Sequence, residues 1–149
     1  MRILFLCLGN ICRSPAAEGV FRTLASEADL PVTVDSAGTG DWHAGEPPYG
    51  PMQAAARARG YDLSALRARQ LTRADFDAFD LILAMDRQNL QDAARLAPKD
   101  ARAGLRLFLD GMAGTQDVPD PYYTREFDAC VTLIEQGARA LIARLQPPQ

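Results

Sequence analysis

The sequence has few residues that could hold a metal ion or form disulfides. Its 149 residues include one histidine and three cysteines. An odd number of cysteines without a regular spacing is not a disulfide framework and is typical of a reducing compartment. A closed zinc site would use nearly every cysteine and histidine of the chain. We therefore expect a cytoplasmic protein that needs neither a metal nor another cofactor.

Long apolar runs and an excess of positive charge are also missing. The 16 Lys and Arg stand against 19 Asp and Glu, for a formal net charge of −3, which disfavours a nucleic-acid-binding protein. No run approaches the roughly 18 apolar residues of a membrane-spanning helix, and residues 1–8 reach Gly9 and Asn10 too soon for a signal peptide. We expect no nucleic-acid partner and no membrane partner.

The remaining composition suits one globular domain over residues 1–149. About 48% of the residues are apolar, enough for a core at this length, and no linker, repeat or low-complexity tract divides the chain. Short apolar runs predict strands over 2–7, 32–34, 81–85 and 105–109. Helical patterns predict helices over 53–59, 75–79 and 90–96, one from residue 124 onward, and one that starts with Ser14 as N-cap before Pro15.

Strands that alternate with helices predict parallel pairing through right-handed crossovers, and so an α/β sandwich with helices on both faces of the sheet. In such sheets ligands bind beyond the carboxyl ends of the strands. The residues predicted at that edge are Cys7 to Ser14, Ser36, Asp86 and Asp120.

The loop after the first strand has the features of a phosphate site. It reads Cys-Leu-Gly-Asn-Ile-Cys-Arg-Ser from Cys7 to Ser14 and leads into a helix N-terminus, where free N–H groups favour an anion. Gly9 would permit a positive φ and Asn10 would tolerate one, and a loop that alternates such conformations would turn successive N–H groups inward. Arg13 could grip two phosphate oxygens. The loop has a thiol and lacks the Gly-Lys-[Ser/Thr] of nucleotide loops, so it indicates covalent phosphoryl transfer.

Taken together, these motifs resemble the low-molecular-weight protein tyrosine phosphatases. The resemblance covers nearly the whole chain and rests on Cys7, five further residues, Arg13 and Ser14, with Asp35-Ser36-Ala37-Gly38-Thr39, Ala68-Arg69-Gln70, Met85-Asp86 and Asp120-Pro121-Tyr122-Tyr123. It implies a three-layer sandwich with a four-stranded parallel sheet in the order 2-1-3-4. It also implies metal-free hydrolysis of phosphotyrosine through a cysteinyl-phosphate intermediate.

The resemblance assigns a role to each matching residue. Cys7 would be the nucleophile, Arg13 would bind the transferred phosphoryl group, and Asp120 would act first as acid and then as base. The phosphate-binding loop would comprise Leu8, Gly9, Asn10, Ile11, Cys12 and Ser14, supported by Ser36 and Asp86. The walls of a phenyl slot would be Trp42, Tyr122 and Tyr123, together with Leu8 and Ile11.

Three positions leave alternatives open. Cys12 could form a reversible disulfide with Cys7, as in some relatives, or could be inert packing. His43 is interpreted as a surface loop residue. Many relatives carry His at the position of Leu66, just before Arg67, so we expect Asn10 to lack one hydrogen-bond partner and the loop to be softer.

Other functions compete with this interpretation. A protein-arginine phosphatase is the nearest alternative, but its members tend to have Thr where this chain has Ile11. Arsenate reductase would need further relay cysteines, and Ala84-Met85-Asp86 contains none. A phosphate-binding module without catalytic activity would not need the residues of the reaction, yet all of them are present in this sequence. We expect a monomer that acts on phosphotyrosine proteins, with a bacterial tyrosine kinase as one candidate, although no residue points to a particular target.

Overall fold

Four short parallel strands form one sheet in the computed structural model, which describes residues 1–114 and 116–146. The strands are β1 (Arg2–Cys7), β2 (Thr33–Gly38), β3 (Leu81–Ala84) and β4 (Gly104–Leu107), in the order β2-β1-β3-β4. All three neighbouring pairs are parallel. The predicted fold class and strand order are confirmed.

Helices cover both faces of this sheet, and β1 shows why. Side chains alternate along a strand, so Ile3 and Phe5 pack in one core and Leu4 and Leu6 in the other. The first core also receives α1 (Arg13–Glu27), α2 (Gly50–Arg57) and α6 (Phe127–Leu145), and the second receives α3 (Asp75–Ala78) and α4 (Arg87–Leu96). A one-turn helix, α5 (Pro121–Thr124), precedes α6. None of the helices within the described residues is long and apolar enough to cross a membrane.

Some predicted boundaries were wrong for local reasons. Helix α1 begins at Arg13, so Ser14 lies inside it and is not its N-cap. Helix α4 begins earlier than predicted because the Asp86 carboxylate accepts a hydrogen bond from the Asn89 N–H at 2.7 Å. The predicted C-terminal helix is interrupted at Arg125, whose φ of 64° lies in the left-handed region. That break separates α5 from α6.

Candidate active site

The loop between β1 and α1 is shaped by one left-handed residue and two close approaches. Asn10 has a φ of 57°. Gly9 permits a positive φ but does not adopt one. Gly9 instead provides space, because a Cβ there would lie 3.1 Å from Cδ2 of His43. Gly38, at the end of β2, is tighter still, because its Cβ would lie 2.7 Å from the carbonyl oxygen of Leu8.

The Cys7 sulfur lies at the carboxyl end of β1, where this loop turns around it. Its Sγ atom is 2.9 Å from Ser14 Oγ and accepts a hydrogen bond from the Asn10 N–H at 3.3 Å. Cys7 is almost fully buried, yet it lines a cavity of about 300 Å³ that opens to the surface. A sulfur held this way can attack a group bound in the cavity.

Asn10 fastens the loop to two other parts of the chain. Its Nδ2 donates to Ser14 Oγ at 2.8 Å and to Ser36 Oγ at 3.0 Å, and its Oδ1 accepts from the Arg69 N–H at 2.9 Å. The Arg69 backbone thus gives the amide oxygen a partner although Leu66 offers none, and the softer loop stays a prediction. Ser36, which the resemblance assigns as a supporting residue, contacts the loop through Asn10.

Arg13 is buried beside the cavity between two carboxylates. Its Nη1 donates to Asp86 Oδ2 at 2.6 Å and to the Val118 carbonyl at 3.0 Å, and its Nη2 lies 3.4 Å from Asp120 Oδ2. Burial acts to lower the pKa of Arg13, but the Cys7 sulfur and the two carboxylates hold it above its ordinary value. The guanidinium is therefore a fixed positive charge at the cavity.

Asp120 faces the cavity because it caps α5. Its Oδ1 accepts a hydrogen bond from the Tyr122 N–H at 3.1 Å, which leaves Oδ2 toward Arg13. Asp120 and Cys7 lie 113 positions apart in the sequence and line the same cavity. A carboxyl group and a thiol on one cavity are suited to acid–base and nucleophilic work on the same ligand.

The remaining walls of the cavity are largely aromatic and apolar. The full lining comprises Cys7, Leu8, Gly9, Ile11, Cys12, Arg13, Trp42, His43, Asp120, Tyr122 and Tyr123. Three other predicted site residues lie behind this surface and hydrogen-bond to lining residues, namely Asn10, Ser14 and Asp86. Ser36 lies one step further back and contacts Asn10. The ring of Tyr122 packs 5.2 Å from that of Tyr49.

His43 was missed as a lining residue. Its Nδ1 lies 2.6 Å from Glu46 Oε2, and its ring is 6.5 Å from that of Tyr122. The available signal was its position beside Trp42, which the resemblance already assigned to the wall.

The two other cysteines are buried thiols. Burial raises the pKa of Cys12 well above its ordinary value and raises that of Cys130 to about 12. All three cysteines are free, so a disulfide between Cys7 and Cys12 stays a prediction. Within residues 1–114 and 116–146, no group of three or more His, Cys, Asp or Glu side chains is placed to hold a metal ion.

Comparison with known proteins gives consistent matches over nearly the whole chain. A family model described as low molecular weight phosphotyrosine protein phosphatase matches residues 2–148. The low molecular weight protein-tyrosine-phosphatase YfkJ of Bacillus subtilis is 41% identical over an alignment of 148 positions, which covers 97% of this chain and 95% of YfkJ. The low molecular weight phosphotyrosine protein phosphatase of Homo sapiens is 38% identical over an alignment of 149 positions, which covers 97% of this chain and 93% of the human protein.

Solved structures agree with these matches. The crystal structure of YfkJ superposes with a TM-score of 0.92 and covers 98% of this chain and 94% of YfkJ. The crystal structure of DARP, drosophila arginine phosphatase, superposes with a TM-score of 0.93 at 27% identity, over 100% of both chains.

Proposed function

The chain belongs to the low molecular weight phosphotyrosine protein phosphatase family, and from that premise we propose that it hydrolyses phosphotyrosine with Cys7 as the nucleophile. The enzyme class, a protein tyrosine phosphatase, follows from the family. The observation that carries the residue assignment is the cavity itself. It brings the Cys7 sulfur, the Arg13 guanidinium and the Asp120 carboxyl group together at one edge of the sheet.

Binding of the phosphate group is assigned to the loop and Arg13. The N–H groups of residues 8–14 lie at the N-terminus of α1, where the helix dipole favours an anion. Arg13 Nη1 lies 2.6 Å from Asp86 Oδ2, whereas Arg13 Nη2 lies farther from its partner, at 3.4 Å from Asp120 Oδ2. Its Nη2 is therefore the more weakly held nitrogen, and we assign it to the phosphoryl oxygens.

The reaction proceeds in two transfers. The Cys7 thiolate attacks phosphorus, so that an S–P bond forms as the bond from phosphorus to the phenolic oxygen breaks, while Asp120 gives its proton to that oxygen. Water then attacks phosphorus, Asp120 takes a proton from it, and the S–P bond breaks. The products are tyrosine and inorganic phosphate, and the thiolate is restored. The donors on the Cys7 sulfur also make it a better leaving group in the second step.

The walls support an aromatic substrate. Trp42, Tyr122 and Tyr123 are among the few exposed large apolar side chains of the described residues, and all three lie on this cavity. Exposed aromatic groups that converge on one opening are suited to hold a phenyl ring. Ile11, which also lines the cavity, offers no polar group to a guanidinium, so the walls favour phosphotyrosine over phosphoarginine.

The proposal also covers the domain organisation, the oligomeric state, the cellular compartment and the protein substrates. We assign residues 1–149 to a single catalytic domain that acts as a monomer in the cytoplasm. The three free cysteines support a reducing compartment. Phosphotyrosine proteins are the partners that the family implies, and an autophosphorylated bacterial tyrosine kinase is the candidate we would test first.

The assignment is tested by hydrolysis of p-nitrophenyl phosphate and of phosphotyrosine, phosphoserine and phosphoarginine peptides in the presence of a chelator. We expect activity on the aryl phosphate and the phosphotyrosine peptide. Cys7→Ser should abolish it, Arg13→Ala should weaken substrate binding and turnover, and Asp120→Ala should cost about 10²–10⁴-fold, more for poorer leaving groups.

A substitution at Asp100 serves as the control for these variants. Asp100 is an exposed loop carboxylate, and Asp100→Asn should leave activity unchanged. Full activity without Cys7, dependence on a divalent metal, or a preference for phosphoarginine would overturn the proposal.

A further inference from the structure

A continuous chain of buried hydrogen bonds leads from Cys7 to Glu18 in the middle of α1. Ser14 Oγ lies 2.9 Å from Cys7 Sγ, and Asn10 Nδ2 lies 2.8 Å from Ser14 Oγ and 3.0 Å from Ser36 Oγ. Ser36 Oγ lies 2.7 Å from Glu18 Oε1. The four residues behind the sulfur are at most 4% exposed and do not line the cavity, so their hydrogen bonds are shielded from it.

The outer end of this chain fixes the direction of its protons. The second oxygen of Glu18, Oε2, accepts from Arg22 Nη2 at 2.7 Å, and an ionised carboxylate only accepts hydrogen bonds. The Ser36 hydroxyl therefore gives its single proton to Glu18. It faces Asn10 with lone pairs alone, so the amide must present its NH₂ group to Ser36.

A second anchor orients the same amide in the same sense. The Arg69 backbone N–H, which can only donate, reaches Asn10 Oδ1 at 2.9 Å. The Arg69 side chain is tied to Asp75 at 3.0 Å and to Asp35 at 3.1 Å. These two pairs hold the backbone of Arg69 in place. Leu66, three positions earlier, has no polar side-chain atom that could join the network.

The orientation of the Asn10 amide decides which atom receives the Ser14 hydroxyl proton. Because Asn10 donates to Ser14 Oγ, the only proton of Ser14 is left for another acceptor. The Cys7 sulfur at 2.9 Å is closer than the Ala37 carbonyl at 3.4 Å. We infer that Glu18 is a positioning residue for the nucleophile, whose carboxylate, through Ser36 and Asn10, keeps the Ser14 hydroxyl donating to the Cys7 sulfur.

Removing either partner of the hydrogen bond between Ser36 and Glu18 should loosen the orientation of the Asn10 amide. Without the Glu18 carboxylate, the Ser36 proton needs a new acceptor, and the nearest is the Asn10 oxygen after an amide flip. A flipped Asn10 would then take the Ser14 proton away from Cys7. The Arg69 N–H opposes the flip but does not prevent it, so the loss of the donor is partial.

The experiment measures the rate at which iodoacetate alkylates Cys7 as a function of pH. We expect Glu18→Met to raise the midpoint of that profile by about half to one pH unit, since a hydrogen bond to a charged group is worth roughly one to two units when it is lost entirely. Ser36→Ala should raise it by a similar amount, and the double variant by no more than either single one. Glu18→Gln, which keeps an acceptor oxygen for Ser36, should restore the original midpoint.

Two controls keep this result specific. Arg22→Lys keeps a positive charge beside Glu18 Oε2 and leaves the chain of hydrogen bonds intact, so its midpoint should equal that of the unmodified protein. The two charged groups that lie on the cavity with Cys7 are Arg13 and Asp120. Both are unchanged in every variant. Thermal unfolding identifies any variant that does not fold, and Ser36→Ala then replaces Glu18→Met.

The inference deepens the proposed function, since it rests on Cys7 as the nucleophile. Alkylation needs no substrate, so an inactive protein would refute the proposed function and still leave this profile measurable. An unchanged midpoint in folded Glu18→Met or in Ser36→Ala overturns the inference. Additive shifts in the double variant, or a Glu18→Gln profile equal to that of Glu18→Met, overturn it as well.

Discussion

Asp86 performs two tasks with its two oxygens, and separating them gives a quantitative test. Oδ2 accepts from Arg13 Nη1 at 2.6 Å, and Oδ1 accepts from the Asn89 N–H at 2.7 Å as the N-cap of α4. An alanine removes both acceptors. An asparagine has one oxygen and keeps one contact, while its NH₂ group faces the other donor.

The expected magnitudes follow from these contacts. Loss of the cap costs about 1 kcal/mol. Removing one partner of a fully buried ion pair costs about 3–5 kcal/mol, but Asp86 is 24% exposed and Arg13 keeps Val118 and Asp120. We therefore discount the ion pair to about 1–2 kcal/mol. Asp86→Ala should lose about 2–3 kcal/mol of unfolding free energy and Asp86→Asn about 1–2 kcal/mol.

Urea denaturation followed by far-UV circular dichroism measures both variants. Asp92 is the matched control, because it lies on the same helix and its partner Arg95 is 75% exposed. Asp92→Asn should change the unfolding free energy by less than about 0.5 kcal/mol. If Asp86→Ala is as stable as this control, or if Asp86→Asn loses as much as Asp86→Ala, the division of tasks between the two oxygens is refuted.

Two further predictions concern a crowded glycine and a buried phenol. Gly38→Ala should lower the free energy of unfolding by about 1–3 kcal/mol, because the new Cβ would lie 2.7 Å from the Leu8 carbonyl oxygen. It should also weaken inhibition by vanadate, because Leu8 belongs to the phosphate-binding loop. Gly50→Ala, where a Cβ meets nothing within 4 Å, should do neither. Burial and the Glu135 carboxylate raise the pKa of Tyr61 to about 12. The stabilisation from protonated Tyr61 is therefore complete below about pH 10 and is lost as the pH rises toward 12. Tyr61→Phe should cost about 1 kcal/mol at pH 7 and flatten this alkaline loss without changing activity, and an equally steep loss in the variant would contradict the assignment.

The sequence was most informative where the chemistry depends on strand ends. Cys7 and Asp86 each follow a buried apolar run, so their place at one edge of the sheet could be predicted from parallel pairing alone. The loop could be identified as an anion site because a thiol, an asparagine that tolerates a positive φ and Arg13 stand before the predicted helix. The strand order and the role of Asp120 came from the resemblance, because neither depends on local pattern.

The errors arose where long-range contacts override local preference. Ser14 has the sequence signature of an N-cap, but its hydroxyl is used by Cys7 and Asn10. Gly9 does not adopt the positive φ that it permits and instead makes room for the ring of His43, which is far along the chain. The Arg69 N–H that satisfies Asn10 lies 59 positions away. No periodicity or spacing in the sequence reports a backbone N–H at that distance.

The central claim is that the phosphoryl group is carried by the Cys7 sulfur during turnover. Rapid quenching of the enzyme with an aryl phosphate, followed by peptide mass spectrometry, tests it directly, and Asp120→Ala should slow breakdown of the intermediate enough to raise its yield. We expect one phosphoryl group, bound to Cys7 and absent in Cys7→Ser. Phosphate on any other side chain, or sustained turnover by Cys7→Ser, would contradict the account.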